Sequence, residues 1–166
     1  MVEVKAKLKI KRGAYKVDVK GQLALPFADR QGGEGKVRLV CGEEVALKLP
    51  RGEVLRGGDL VTASDGRVLE VIALPEKLLH IEGQRLAHIA WLLGNGHVPL
   101  QFGESYLRMA EAPGMEEALT QFGLRVTKLE APFEPEVMAG AHDHQHAHDH
   151  DHPHGHGHDH GHDHHH

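Results

Sequence analysis

At 166 residues, with 19 Lys and Arg against 24 Asp and Glu, the chain has room for one or two small domains. Its formal charge of −5 sits wholly in the last 25 residues, which hold five Asp, 14 His and no Lys or Arg. Residues 1–141 therefore balance to zero, which excludes the basic footprint of a nucleic-acid binder, and with no apolar run near 18 residues no membrane span is expected.

The first twenty residues are charged throughout, so no export signal is expected and a cytoplasmic location is. Residues 1–73 predict a small all-β domain. Apolar residues alternate or cluster over strand lengths at 17–19, 36–40, 44–49 and 68–72, and Gly32, Gly42, Gly57, Gly58 and Gly66 supply turns between them. Cys41 is the only cysteine, so there is neither a disulfide framework nor a cysteine zinc knuckle within one chain, which fits a reducing compartment. Leu74, Pro75 and Glu76 predict a linker.

From residue 77 the pattern changes. A strand is expected at 77–82 and a helix at 84–93, with Leu86, Ile89, Ala90 and Leu93 on one face. Strands at 98–102 and 105–109 are joined at Gly103 and Glu104, a second helix at 115–122 stops at Gly123, and a last strand covers 124–130. The order βαββαβ over 74–131 predicts a ferredoxin-like domain, so the class is α+β with two domains. Residues 132–141 predict a linker, and 142–166 a disordered tail. His88, Trp91 and Leu92 form a second face of the first helix, away from the core stripe, and such a face suits a second copy of the chain.

The tail follows a rule. Its histidines are His142, His144, His146, His148, His150, His152, His154, His156, His158, His160, His162 and His164, then His165 and His166. A period of two is not helical, and with Asp, Gly, Gln and Pro as spacers there is no apolar face for a strand to bury. In an extended chain residues i and i+2 point the same way, roughly 7 Å apart, so two imidazoles can turn onto one ion. Imidazole nitrogen suits nickel, zinc and copper, and at ~3–4 histidines per ion the tail holds on the order of four ions. Below a pH of about 6.5 the imidazoles protonate and release metal.

Three histidines lie outside the tail. His80 reads as a strand residue and His88 as a helix-surface residue. His97 follows Gly94-Asn95-Gly96. Gly94 is expected to end the helix in a left-handed conformation and Asn95-Gly96 to turn, which puts His97 near the negative end of the helix dipole, where a cation is favoured.

The run from Leu93 through Gly94-Asn95-Gly96-His97-Val98-Pro99-Leu100-Gln101 carries a resemblance. Together with Gln121-Phe122-Gly123-Leu124 and Ala131-Pro132-Phe133-Glu134-Pro135-Glu136, it resembles the urease accessory protein UreE family. Leu49-Pro50-Arg51-Gly52, Gly58-Asp59-Leu60 and Asp65-Gly66 are similar to that family's first domain, so the likeness covers nearly all of residues 1–141. It implies a homodimeric nickel chaperone that passes nickel through a partner GTPase toward apo-urease. It also implies that His97 binds metal at the dimer interface with its copy from the other subunit, and that a peptide-binding-like first domain makes protein contacts. The chain departs from the family at Gly96, where members often have Arg, and at Leu92, where they often have His. Ala110-Glu111-Ala112-Pro113 lacks the histidine cluster that some members carry.

Coordination chemistry agrees with this implication. One His97 offers one ligand where nickel or zinc takes four to six, so a second copy and the tail histidines would complete the shell. A passive nickel, zinc or copper store is the alternative reading. An enzyme is not expected: three histidines outside the tail, no HExxH spacing and no phosphate-binding glycine loop leave hydrolysis without its parts.

Overall fold

A computed structural model describes residues 1–10 and 16–137. Six strands form the first domain: β1 (Val2–Lys7), β2 (Val19–Leu25), β3 (Glu34–Arg38), β4 (Glu44–Lys48), β5 (Leu60–Ala63) and β6 (Val68–Ala73), in the sheet order β2-β6-β5-β1-β4-β3. The sheet is mixed, since β1 runs parallel to β4 and β2 parallel to β6. It curls into a half-barrel: Val40, just past β3 at one edge, donates its N–H to the Gln22 carbonyl in β2 at the other, 3.0 Å away. Alternation along the strands turns Val4, Leu23, Val45, Leu47, Val61, Leu69 and Val71 into the enclosed core.

β2 begins where the segment expected at 17–19 ends, sharing only Val19 with it, and two further strands lie outside the expected segments. β1 occupies the middle of the sheet, with Val4 fully buried, yet its Lys and Glu residues hide the alternation. β5 is only four residues long, too short for a period to register.

Only Leu74 separates β6 from β7 (Pro75–Glu82), so the linker expected at 74–76 shrinks to one residue. Pro75 opens the strand, a position where a missing N–H is tolerated. The second domain continues with α1 (Leu86–Asn95), β8 (Gln101–Phe102), β9 (Tyr106–Ala110), α2 (Met115–Gln121) and β10 (Arg125–Pro132). Its four-stranded sheet has the order β10-β7-β9-β8 with every pair antiparallel, and the element order is the expected βαββαβ.

Both faces of β7 are covered. Leu79 and Ile81 pack under the helices with Ile89, Leu93, Leu107 and Leu119, and Leu78, on the opposite face, packs with Phe27 and Phe133. β8 is two residues rather than the five expected over 98–102. The Val98 N–H is used to close α1, bonding to the Leu93 carbonyl at 3.0 Å, and Pro99 has no N–H to give a ladder.

The segment after β10, expected as a linker over 132–141, is packed as far as Pro135. Phe133 is 2% exposed and meets the Phe27 ring edge-on, with centroids 5.5 Å apart. Arg30, fully buried at the end of a single 3-10 turn (Phe27–Arg30), reaches across from the first domain. Its guanidinium donates to the carbonyls of Leu25, Leu55 and Phe133 and to Glu134 Oε1. A buried charge with this many partners is tolerated where an unpaired one would not be.

Candidate metal centre

His97 sits where α1 stops. Its N–H bonds the Gly94 carbonyl at 2.9 Å while the Val98 N–H bonds the Leu93 carbonyl at 3.0 Å. This crossed pair is the Schellman closure, with Gly96 as the cap and His97 in the left-handed position that follows it. His97 has φ +58°, one of only two non-glycine residues at positive φ among the described residues. The expectation that Gly94 would take this conformation is corrected: Gly94 is inside α1, and the left-handed residue is the histidine itself. Gly96 has an ordinary φ of −83°, and a Cβ added there would lie 3.3 Å from the Leu93 carbonyl oxygen. Val98 then packs onto the helical core, which fixes the turn from below.

His97 is exposed, at the end of a ten-residue helix whose last carbonyls carry partial negative charge. Along the same helix Trp91 is 64% exposed and Leu92 39%. His88 is exposed beside Trp91, with the two rings nearly parallel at 6.3 Å. Leu92 and Phe122 line an apolar crevice between α1 and α2. Phe102, paired with Leu107, is on the helix side of edge strand β8 and also stands open. His80 is differently placed. It lies on the opposite face of the sheet against the Tyr106 ring, and its Nδ1 accepts a bond from Arg108 Nε at 3.1 Å, an occupied nitrogen beside a cation.

Among the described residues no three His, Cys, Asp or Glu side chains gather into a metal site. His97 stands there as one imidazole outside any such group among the described residues. The tail histidines, from His142 to His166, lie outside the described residues. Nor is any helix among the described residues long and apolar enough to cross a membrane.

The chain after β10 returns to this turn. The Glu136 N–H bonds the Leu100 carbonyl at 2.8 Å, and the Glu134 N–H bonds Gln101 Oε1 at 3.1 Å. The Glu134 carboxylate is gripped by Arg30 and Arg56, each at 3.0 Å, and by the Gly57 N–H at 2.9 Å. Burial would push this carboxyl up, but the Gly57 and Arg56 hydrogen bonds and the Arg30 charge outweigh it, and its pKa lies below the ordinary value. This clamp was not foreseen from the sequence. A lone Arg in a loop, 104 residues from its carboxylate, leaves no periodic signal.

A sequence-family profile described as the UreE urease accessory protein, C-terminal domain, matches residues 68–166. The chain belongs to the UreE family. The profile of the UreE N-terminal domain matches residues 15–74. The urease accessory protein UreE of Ralstonia nicotianae is 44% identical over 124 residues, 73% of this chain and 58% of that protein. That of Cupriavidus necator is 42% identical over 124 residues, 73% of this chain and 64% of that protein. The chain therefore spans less than two thirds of the length of these two relatives. The Nitrosospira multiformis protein is 40% identical over 127 residues, 75% of this chain and 71% of that protein. A UreE is by its description an accessory to an enzyme rather than the enzyme, in keeping with the missing catalytic motifs.

Proposed function

We propose that this UreE is a nickel metallochaperone for urease maturation. It works as a homodimer, brings two copies of His97 together at the interface, and completes the shell with tail histidines. Nickel is the cargo, and zinc or copper suits the same imidazoles. From this site the ion passes, by way of a partner GTPase, to apo-urease in the cytoplasm. The half-barrel serves as a peptide-binding-like module for these partners, and the βαββαβ unit is a ferredoxin-like metal domain.

The observation that carries this reading is His97 itself. An exposed histidine occupies a left-handed position that glycine fills at lower cost, at the end of a helix whose outer face bears Trp91 and Leu92. A ligand shared between two copies makes an open, exchangeable site, which suits delivery.

Nickel titration with mass measured alongside tests it. A chain ending at Ala141 should keep about one ion per dimer, held less tightly for want of the tail histidines, and His97→Ala should abolish it. Loss of all binding with the tail would instead mean a passive store.

A further inference from the structure

The face of the second sheet that turns away from the helices is only half covered. Leu78, packed with Phe27 and Phe133, closes one end of it. At the other end the register lines up two polar rows: Arg125, Glu82 and Tyr106, then Thr127, His80 and Arg108. One face of an antiparallel sheet is often simply solvated, and Arg125, paired with Glu82 at 2.7 Å, fits that description. Arg108 does not. Its guanidinium lies 4.7 Å from the centre of the Tyr106 ring, and the same ring stands 4.5 Å from the His80 imidazole. Gly103 admits this arrangement, because a Cβ there would come within 2.2 Å of the Tyr106 ring. Arg108 spends its Nε on His80 Nδ1 at 3.1 Å, an uncharged acceptor, and makes no ion pair among the described residues. The two terminal nitrogens of its fork are thus oriented without a carboxylate to receive them.

We propose that Arg108, braced by Tyr106 and His80, is the anchor for a carboxylate on the surface of the protein that receives the ion. The proposal rests on the reading of the chain as a chaperone that hands nickel to a partner GTPase. A guanidinium can take a carboxylate through two parallel N–H···O bonds, and the free end of Arg108 keeps that geometry available. Bracing removes in advance much of the freedom that an unsupported arginine would lose on binding. Tyr and Arg are also the side chains that most commonly dominate protein contacts. Small free anions are held in concave sites, whereas an open sheet face with one unpaired cation suits a group presented by another protein. The patch lies opposite the helix side that bears Trp91 and Phe102, so a dimer formed there leaves it free on each subunit.

The experiment measures binding of the purified partner GTPase to the full-length, nickel-loaded protein by calorimetry, with nickel stoichiometry and mass determined alongside. Arg108→Met keeps the stem against Tyr106 but removes the fork, and should weaken the complex about ten-fold or more with melting temperature, nickel content and mass unchanged. Arg108→Lys should recover only part of the loss, since an ammonium cannot offer the paired donors. Arg125→Met, on the same face but already matched by Glu82, should change binding by less than about two-fold. His80 is the positioning residue. His80→Leu should weaken binding about three-fold, and His80→Gln, which still offers an acceptor, should retain most of it. Neither should matter in the Arg108→Met background, where there is no fork to hold; a merely structural role would add to it. If the parent binds the GTPase and Arg108→Met binds it equally well, the anchor is wrong and the chaperone reading stands. If the parent does not bind the GTPase, that reading falls and takes the anchor with it. Loss of nickel together with the GTPase in Arg108→Met would also overturn the anchor, because the residue would then act through the metal centre rather than by contact.

Discussion

His97 is held against the preference of its own backbone. In the left-handed region a Cβ approaches the following carbonyl, which costs roughly 1 kcal/mol that glycine does not incur. The Schellman bonds to Gly94 and Leu93 keep the residue there, so helix closure sets the direction from which the imidazole is offered. This separates stability from function at one position. His97→Gly should raise unfolding free energy by about 0.5–1 kcal/mol in urea denaturation while losing the tight nickel site. His97→Asn, a side chain that tolerates this conformation, should be near neutral in stability and equally poor in binding. A stability loss in His97→Gly would show that imidazole contacts, rather than strain, dominate. The neighbourhood of His97 marked it in the sequence, through the run Gly94-Asn95-Gly96. Its conformation was not legible, because a histidine in place of the usual C-terminal glycine gives no compositional signal.

Regular elements were read where burial repeats with a period and missed where it does not. Three of the six strands of the half-barrel, β3, β4 and β6, coincide with the expected apolar segments; β2 shares only Val19 with the segment expected at 17–19, and central β1 was obscured by its charges. The first helix was legible from its apolar stripe and the second from its stop before Gly123, and β8 was overestimated because Val98 and Pro99 look strand-like but serve the helix end. Residues 133–136 carry no periodic signal, since Pro132 and Pro135 interrupt the pattern and the arginines that hold Glu134 lie in the other domain. The chemistry of this clamp predicts a pH response. Glu134 ionises more readily in the folded protein than its ordinary value of 4.5 allows, so its contribution is fully present above that pH. It is lost as pH falls from 4.5 through the depressed value. Glu134→Gln should cost about 1–3 kcal/mol at pH 7, because Arg30 keeps its carbonyl partners but loses its carboxylate. The variant and the parent should draw together in melting temperature as pH falls below 4.5. A constant gap between the two melting curves from pH 7 to pH 3 would mean that the clamp's charge is not what holds the segment.

At the scale of the whole molecule, the first domain leaves Met1 and Val40 open, whereas the second leaves large aromatic groups in water. Trp91, Phe102 and Phe122 are 64, 53 and 69% exposed, all on the helix side of one sheet. Large aromatic groups left open on one side of a folded domain mark an association surface more often than accident. With His97 at the end of the helix that carries Trp91, a two-fold contact there would bring metal ligands and apolar surface together in one interface. The two contributions separate in a single variant. Trp91→Asp removes no buried contact within one chain, so unfolding of the subunit should shift by no more than about 0.5 kcal/mol. Association should weaken strongly, because an aromatic group at the centre of an interface commonly contributes 2 kcal/mol or more, about thirty-fold in dissociation constant. Sedimentation equilibrium on nickel-free protein should therefore show monomer where the parent is dimeric. Nickel titration of the same variant should lose the tight site while the tail keeps its capacity, because a single His97 cannot hold the ion alone. A dimer that persists would place the interface elsewhere. A tight site that survives in the monomer would mean that one chain supplies the whole shell, with His97 and its own tail as the ligands.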